Sequence, residues 1–406
     1  MLEPPAARPL DASRDPLPPR LRPDARLGVL DVSKWFAPGS GGARTYLLQK
    51  AAYVASRPSL RQVLVVPGAR DLVGDGDGVR CYQLRSPRAP GMAPYRLLLR
   101  GGALRRIARH ERPTVIEAGS PLLVPWLAAR AARALGVPLV AYHHGLLPHA
   151  VAAAGGRPAY AAAAAYLRRL DRMFAATLAG SEYAAAELRA AGVDRAQRAP
   201  LGVELARFHP RRRAHAAETR RRLGLPHGPL VGFAGRLAPE KRLDVLLRAW
   251  PSVSRATGAT LVIAGDGPWR ERLRALAPDA SVHWLPFEPD RDALADLLAA
   301  LDVYVSPGDI ETFGLAALEA LASGTPVLSA DRGGGAELVE RSGGGALFAA
   351  GRAASLAEAA VALLRADLAA LGRRARDYAE REHGWDAAFD RIFALYASLV
   401  GDGPPH

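Results

Sequence analysis

The sequence predicts an α/β protein made of two Rossmann-like domains whose parallel sheets face a central cleft. The chain has 406 residues, which is too long for one ordinary hydrophobic core and suits two domains of similar size. Short apolar runs alternate with helical patterns along the chain, as in a parallel sheet that is covered on both faces. These runs fall into two series, and an arginine-rich stretch separates them.

The first series lies in the N-terminal half. Its candidate strands are residues 27–31, 62–67, 114–117, 138–142 and 173–179. Its candidate helices are residues 43–57, 122–135 and 159–170. The last of these runs is rich in alanine, the residue with the strongest intrinsic preference for helix.

The second series lies in the C-terminal half and repeats the same alternation. Its candidate strands are residues 230–234, 259–264, 281–285, 303–305, 326–329 and 346–348. Its candidate helices are residues 243–256 and 315–322, and a final amphipathic helix is expected at residues 385–400. In open α/β sheets, ligands bind beyond the carboxyl ends of the strands, so the loops that follow these strands are expected to converge on the cleft.

The predicted domain boundaries follow from composition. Residues 205–222 are rich in arginine and contain Pro210, which indicates a linker. The N-terminal domain is therefore placed at residues 25–205, the C-terminal domain at 206–384, and a terminal helix and tail at 385–406. Residues 1–24 are rich in proline and lack the apolar segment of a secretory signal, which predicts a disordered tail.

The formal net charge of +14 raises the question of a polyanionic partner. Nearly all the basic residues are arginine, and alanine, glycine and proline are abundant, which indicates a coding bias rather than a functional demand. No zinc-finger or RNP-like spacing is present, so no nucleic-acid partner is predicted. No stretch of 18 apolar residues lacks charge, and the single cysteine, Cys81, permits no internal disulfide; both features favour a cytoplasmic protein.

The strongest chemical pattern runs from Glu311 to Glu319, with Phe313, Gly314 and Leu315 leading into a predicted helix. Free backbone N–H groups at the start of that helix would suit a diphosphate. Glu311 would precede the helix and could accept hydrogen bonds from sugar hydroxyls, whereas Glu319 would lie a turn inside and could bind a ribose. Taken singly, each glutamate is better explained structurally, Glu311 as an acidic residue near a helix N-terminus and Glu319 as a solvated helix residue.

A second pattern, Gly235 to Arg242, follows the apolar run at 230–234. Arg236 could grip two phosphate oxygens, and Lys241 adds a compact positive charge. The alternative is a surface loop with two solvated cations. Lys241 is one of only three lysines in the chain, and this rarity favours function.

Several weaker signals also follow candidate strands. Asp266 lies in a Gly-Asp-Gly-Pro sequence that by itself indicates only a turn. Gly41 and Gly42 would let the backbone approach a phosphate, although the full dinucleotide-binding pattern is absent. His143 and His144 point to opposite sides if the chain is extended, so one of them is expected to face the cleft. No neighbouring Cys, Asp or Glu spacing completes a metal site, and no metal is predicted.

Together these segments resemble the retaining glycosyltransferase family 4, which has the GT-B fold. The resemblance is carried by residues 235–241, 265–268, 306–320, 322–327 and 333–337. In the N-terminal half, residues 41–47 resemble the family's glycine loop, and His143 is similar to its active-site histidine. Residues 200–210 resemble its interdomain segment, where Leu201 and Glu204 replace the commoner Asn and Asp.

The resemblance implies a role for each matching residue. Catalytic roles fall to His143, Arg236, Lys241 and Glu311, with the two cations on the leaving diphosphate, Glu311 on the transferred sugar and His143 near it. Donor-binding roles fall to Gly41, Gly42, Asp266, Phe313, Gly314, Leu315 and Glu319. It also implies front-face transfer with retention, without a metal or cofactor beyond a nucleotide diphosphate sugar as co-substrate.

The donor and acceptor are left open by the sequence. Residues 308–313 resemble the version found in enzymes that use GDP-mannose, while related enzymes use UDP-sugars. The acceptor could be a glycolipid, a polysaccharide or a small molecule. The alternative functions are an inactive GT-B scaffold or nucleotide-sugar-binding protein, an epimerase, a pyridoxal-phosphate phosphorylase and a dehydrogenase. The intact site residues disfavour the scaffold, and the missing dinucleotide fingerprint disfavours the dehydrogenase.

One segment suggests a membrane partner. Residues 95–109 carry Arg96, Arg100, Arg105, Arg106 and Arg109 among leucines. Arginines beside apolar residues on a helix could rest among anionic headgroups, which predicts peripheral contact at the inner face of the cell membrane. An ordinary surface helix with arginines from coding bias explains the pattern equally well.

Overall fold

The computed structural model of the protein describes residues 7–37, 41–90, 94–277 and 281–401. The chain forms two compact units. Unit 1 contains Met1–Ala179, Ala185–Ala199 and Phe389–His406, and unit 2 contains Gly180–Ala184 and Pro200–Ala388. Each unit has its own sheet with helices between the strands, so the predicted pair of Rossmann-like α/β domains is confirmed.

The described residues of unit 1 form a nine-stranded sheet in the order β1-β4-β5-β3-β2-β6-β7-β8-β9. All neighbouring strands are parallel except at one edge, where β4 pairs antiparallel with both β1 and β5. Its strands are β1 (Arg8–Pro9), β2 (Leu27–Val32), β3 (Leu60–Gly68), β4 (Leu72–Asp75), β5 (Val79–Arg85), β6 (Val115–Ala118), β7 (Leu139–His143), β8 (Ala176–Ala179) and β9 (Ala196–Arg198).

Helices join these strands and cover the sheet. They are α1 (Gly42–Ala55), α2 (Gly101–Glu111), α3 (Leu123–Leu135) and α4 (Leu147–Asp171), together with most of α5 (Glu182–Ala190) and most of the last helix, α14 (Trp385–Val400). The backbone of α4 is kinked at Gly156, which has a φ of +60°. All five predicted strands and all three predicted helices of the N-terminal half are present.

The antiparallel edge of unit 1 was not predicted, because its strands lack a continuous apolar pattern. In β5, Arg80 is only 2% exposed. Its guanidinium donates to the carboxylates of Asp75 at 2.6 Å and Glu111 at 2.9 Å. A buried arginine with such partners occupies a core position that a hydrophobicity pattern would assign to an apolar residue.

The prediction of a disordered tail at residues 1–24 is wrong for residues 7–24. β1 adds a strand to the sheet edge, and Leu10 and Ala12 are buried. Arg100 donates hydrogen bonds to Asp11 at 2.6 Å and to the hydroxyl of Ser13 at 2.6 Å. Apolar burial and charged partners thus fix a segment whose composition alone indicated disorder.

The described residues of unit 2 form a six-stranded, fully parallel sheet in the order β12-β11-β10-β13-β14-β15. All six predicted strands are present. They are β10 (Leu230–Ala234), β11 (Thr260–Ala264), β12 (Val282–Leu285), β13 (Val303–Ser306), β14 (Val327–Ala330) and β15 (Gly345–Phe348). The chain runs outward from β10 to β12 and then returns to β13 on the other side of β10, which is the doubly wound arrangement.

The helices of unit 2 pack on both faces of this sheet, and Trp250, Leu237 and Val253 lie in a core with no side-chain exposure. The helices are α6 (Ala216–Arg222), α7 (Leu243–Thr257), α8 (Arg270–Leu276), α9 (Arg291–Ala300), α10 (Leu315–Ala322), α11 (Gly334–Ser342), α12 (Ala353–Leu364) and α13 (Leu368–Glu382). The predicted helices at 243–256, 315–322 and 385–400 correspond to α7, α10 and α14.

The predicted linker at 205–222 is wrong, because this segment is folded within unit 2. It forms a 3₁₀ helix at Pro210–His215 followed by α6. Arg212 donates to Asp296 at 2.6 Å, and Arg220 donates to Asp302 at 3.0 Å. The arginines that suggested a solvated linker pair with carboxylates, and the chain changes units near residues 180, 185, 200 and 389.

Candidate active site

Two loops meet where the winding of unit 2 reverses. β10 and β13 are neighbours in the sheet, and their connections leave toward opposite edges. The loop after β10 carries residues 235–242, and the loop after β13 carries residues 307–314. The carboxyl ends of such a pair of strands form the usual ligand crevice of a doubly wound sheet.

An ion pair joins these loops. Lys241 donates to a carboxylate oxygen of Glu311, although the two residues lie 70 positions apart. The side chains are 26% and 22% exposed, so the pair is accessible. Burial alone would lower the pKa of Lys241, but the Glu311 carboxylate, with a smaller contribution from Glu240, outweighs it and leaves the pKa raised. Lys241 is therefore held as a cation beside a carboxylate at the ligand crevice.

Arg236 contributes a second positive charge to the crevice. It is exposed directly after β10, and its charge acts on Lys241 to lower the pKa of that ammonium. The Lys241 ammonium thus lies in the field of this guanidinium and of the Glu311 and Glu240 carboxylates. Cations at the carboxyl ends of strands can attract an anionic ligand.

Glycines let the loops of the crevice pack backbone against backbone. A Cβ at Gly265 would lie 1.9 Å from the carbonyl oxygen of Gly235, and one at Gly267 would lie 2.4 Å from that of Leu237. Between them, the exposed carboxylate of Asp266 accepts the N–H of Gly267 at 2.8 Å and lies 3.7 Å from Arg270. The structure thus accounts for Asp266 as a turn residue, and its donor-binding role stays a prediction.

The second loop leads into α10 through Gly314, which has a φ of +88° and precedes the first helical residue, Leu315. Within the described residues, no side chain caps this helix start. Phe313 is 4% exposed, so its backbone, rather than its ring, is the part that a ligand could contact. The first N–H groups of the helix form a partial positive charge that suits a phosphate.

The glycines at 333–335 pack against the backbone of this loop. The N–H of Gly334 donates to the carbonyl of Glu311 at 2.7 Å. A Cβ at Gly334 would come within 2.5 Å of the Phe313 Cα, and one at Gly333 within 3.3 Å of the Glu311 backbone. Side chains at these positions would displace the loop that carries Glu311.

Glu319 lies in the second turn of α10 and is almost fully buried, with 4% of its side chain exposed. Its Oε1 accepts a hydrogen bond from Arg291 at 2.7 Å. Burial raises the pKa of Glu319, and the charge and hydrogen bond of Arg291 oppose that rise. Arg291 was missed from the sequence, because it follows the edge strand β12 in a segment with no recognisable motif.

A second missed group comes from the short segment Gly180–Ala184. The Ser181 hydroxyl donates to the carbonyl of Thr312 at 2.5 Å, and Tyr183 donates to that of Asp309 at 3.3 Å. Glu337 accepts the N–H of Glu182 at 2.7 Å. This segment therefore fixes both ends of the loop around Glu311, a role that sequence spacing could not reveal.

In unit 1, the predicted glycines lie at the start of α1. Gly42 is its first residue and Gly41 precedes it. Among the described residues, nothing lies within 4 Å of a Cβ placed at Gly41. Packing against this part of the chain therefore does not require glycine there, and the predicted phosphate contact of Gly41 and Gly42 stays a prediction.

The adjacent histidines of unit 1 occupy different surroundings at the carboxyl end of β7. His143 is 8% exposed, and burial lowers its pKa to about 4 against the charge of Asp171. His144 stacks on Tyr142 with ring centroids 4.6 Å apart. Its Nε2 lies 3.8 Å from a Cβ placed at Gly119, beside Ser33. Since Ser33 and Gly119 follow β2 and β6, His144 is the histidine at that edge, and the assignment of His143 stays a prediction.

Two sequence models of known families match the chain. One, described as glycosyl transferases group 1, matches residues 228–366. The other, described as glycosyltransferase family 4, matches residues 40–207. The first covers β10 to β15 of unit 2, and the second covers β3 to β9 of unit 1.

Two similar proteins of known activity are GDP-mannose-dependent mannosyltransferases. A GDP-mannose-dependent alpha-mannosyltransferase of Mycobacterium tuberculosis (strain CDC 1551 / Oshkosh) is 38% identical over 65% of this chain and 67% of its own length. A GDP-mannose-dependent alpha-(1-6)-phosphatidylinositol monomannoside mannosyltransferase of the same strain is 32% identical over 88% of this chain and 95% of its own length.

Solved structures share the fold at low identity. Sucrose-phosphate synthase from Thermosynechococcus elongatus has a TM-score of 0.74 at 20% identity, over 92% of this chain and 99% of its own. HepE of Anabaena in complex with UDP and glucose has a TM-score of 0.73 at 20% identity, over 92% and 100%. Two α/β units of this fold, with the matched sequences, define a nucleotide-sugar-dependent glycosyltransferase of the GT-B fold. The chain belongs to glycosyltransferase family 4.

Proposed function

We propose that the protein transfers mannose from GDP-mannose to an acceptor hydroxyl, with retention of configuration and without a metal ion. The observation that carries the proposal is the accessible ion pair of Lys241 and Glu311. It lies near Arg236, at the carboxyl ends of β10 and β13, where the strand order of unit 2 reverses. The GDP-mannose dependence of the two mycobacterial relatives supports the choice of donor.

The proposed donor diphosphate binds Arg236, Lys241 and the N-terminus of α10. Its arrival gives Lys241 a second anionic partner, and Glu311 becomes available to accept hydrogen bonds from the sugar hydroxyls. Backbone groups at Phe313, Gly314 and Leu315 hold sugar and phosphate. Cations and helix termini that are fixed in advance stabilise developing charge without reorganisation.

In the proposed transfer, the bond between the anomeric carbon and the diphosphate oxygen breaks. The acceptor oxygen bonds to the same carbon from the same face, without a covalent enzyme intermediate, and its proton passes to the departing diphosphate. Glu319 holds the ribose, and His143 keeps the role that the family resemblance implies. Lys241, Arg236 and the α10 terminus supply the positive charge that a divalent ion would otherwise supply. In the described ranges, no three His, Cys, Asp or Glu side chains gather closely enough to hold an ion.

A donor screen tests the proposal. Purified protein is incubated with GDP-mannose, GDP-glucose, UDP-glucose and ADP-glucose, and slow hydrolysis and transfer are followed by release of the nucleotide. We expect GDP-mannose to be preferred, and the anomeric configuration of the transferred mannose, read by NMR, to be α. A preference for a UDP-sugar, or an inverted product, would contradict it.

The proposed acceptor is a carbohydrate or a glycolipid, and peripheral contact with an anionic membrane belongs to the same proposal. The phosphatidylinositol monomannoside in the name of one relative supports a lipid acceptor. Within the described residues, no helix is both long and apolar enough to cross a bilayer.

The segment whose sequence predicts this membrane contact, residues 95–109, offers less exposed apolar surface than the sequence indicated. Leu98, Leu104 and Ile107 are buried in the core of unit 1, and Arg100 pairs with Asp71 at 2.5 Å. Leu99 is the large apolar side chain that this segment still exposes, at 52%, and the remaining contact would be carried by charge, chiefly at the exposed Arg105 and Arg109. Co-sedimentation with anionic vesicles at low salt is expected to weaken when both are changed to Gln, and equal binding would exclude this surface.

A further inference from the structure

The buried carboxylate of Glu319 lies in a charged cluster at the start of α9 that also contains Arg291, Glu204 and Arg207, the last through its ion pair with Glu204. Arg291 Nη2 lies 2.7 Å from Glu319 Oε1 and 3.3 Å from Glu204 Oε2. The guanidinium also lies over the ring of Phe208, 4.9 Å from its centroid. Glu204, from the segment that resembles the family's interdomain segment, thus contacts the same Arg291 nitrogen as Glu319.

This cluster determines how Glu319 can meet a ligand. A carboxylate that is 4% exposed is costly to ionise, and burial raises its pKa. The charge-assisted hydrogen bond from Arg291 offsets that cost and fixes one of the two oxygens. In the described part of the chain, the side-chain hydrogen bond of Glu319 uses Oε1. Oε2 therefore remains to accept from a ligand.

We propose that Arg291 is a positioning residue for the donor's ribose, with Glu204 as its support. It keeps Glu319 ionised and turned so that Oε2 accepts a hydrogen bond from a ribose hydroxyl. This inference rests on the proposed function, because it assumes that a nucleoside diphosphate sugar is the donor. It adds Arg291 and Glu204 to the residues that set donor affinity.

The test compares Arg291→Met and Arg291→Lys with the wild type on two kinds of donor. One donor is GDP-mannose, and the others are its 2′-deoxyribose and 3′-deoxyribose analogues. We expect Arg291→Met to raise the KM for GDP-mannose about tenfold, as for loss of one charge-assisted hydrogen bond, with kcat changed much less. With the analogue that lacks the bonded hydroxyl, wild type and variant should have the same KM. In the Met variant, burial and the Glu204 charge raise the Glu319 pKa without the opposing effect of Arg291. As the pH is lowered, the KM of this variant should therefore begin to increase at a higher pH than the KM of the wild type.

Arg212→Met is the matched control, because Arg212 pairs with Asp292 and Asp296 of the same helix α9 but not with Glu319. It should leave the KM for GDP-mannose unchanged. Arg291→Lys keeps the charge but loses the guanidinium fork, so it should show a smaller loss, again only with donors that carry the hydroxyl. If the Met variant does not fold, this Lys result decides the question.

The two hypotheses fail differently. If the wild type neither binds nor turns over GDP-mannose, the proposed function fails. If the wild type does so and the Arg291 variants keep its KM, or lose affinity equally for all the donors, only the role of Arg291 is overturned.

Discussion

Two lysines of this chain are paired with carboxylates in contrasting ways. Lys50 of unit 1 is wholly buried and donates to Asp31 at 2.7 Å, Glu117 at 3.2 Å and the Tyr396 hydroxyl at 2.9 Å. Lys241 of unit 2 is 26% exposed and pairs with Glu311 alone among the carboxylates within salt-bridge distance in the described residues. The comparison separates an ammonium whose partners are complete from one that can accept a further anionic partner.

The two sites differ in how many partners offset the free-energy cost of burying the lysine charge. The Lys50 cluster joins α1, β2, β6 and α14, and Tyr46 also donates to Glu117 at 3.0 Å. A buried charge with that many partners holds elements together and leaves no room for a ligand. Lys241 has access to solvent at the carboxyl ends of the strands, where an incoming diphosphate can replace water.

The largest predicted effect is on stability, in unit 1. Lys50→Met should lower the free energy of unfolding by about 3–5 kcal/mol, because it leaves two buried carboxylates without their cation. Denaturant unfolding followed by circular dichroism measures it. Arg130→Met, at an exposed position of α3 in the same unit, is the control and should change stability little. A loss of less than 1 kcal/mol for Lys50→Met would remove the structural role assigned to the cluster.

A smaller effect concerns pH. Burial, together with the Glu117 charge, raises the pKa of Asp31 to about 7 against the opposing charge of Lys50. The folded protein then binds a proton that the unfolded chain releases above about pH 4, so this contribution to stability is full at low pH and is lost as pH rises to about 7. Asp31→Asn should lose that dependence, and melting temperatures of both proteins between pH 4.5 and 7.5 measure it. Parallel pH curves would contradict the assignment.

The smallest predicted effect is that of a chelator. The proposed function assigns the positive charge to Arg236, Lys241 and the helix terminus at Gly314, so EDTA should leave the transfer rate unchanged. The control is dialysis of the same sample into metal-free buffer. Loss of activity that manganese restores would contradict the metal-free mechanism.

The sequence predicted the sheet of unit 2 and its two main loops, because buried parallel strands are continuous apolar runs and the loop residues lie near one another in sequence. The rarity of lysine favoured Lys241 but did not separate it from Lys50, which is equally rare and structural. The Lys50 cluster was beyond sequence reasoning, since its partner Tyr396 lies 346 residues away. Arg291 and Ser181 were missed for the same reason: their partners Glu319 and Thr312 are contacts of the fold, not of the sequence.

The central claim is that Lys241 contacts the donor diphosphate, whereas Lys50 contributes to stability alone. Single-turnover transfer from GDP-mannose by Lys241→Ala, beside a thermal melt of the same sample, tests it most directly. We predict a rate lower by about 10²–10³-fold, as for loss of one fixed charge contact, with a melting temperature close to that of the wild type. A near-normal rate, or a loss of rate that only follows a loss of folded protein, would contradict the claim.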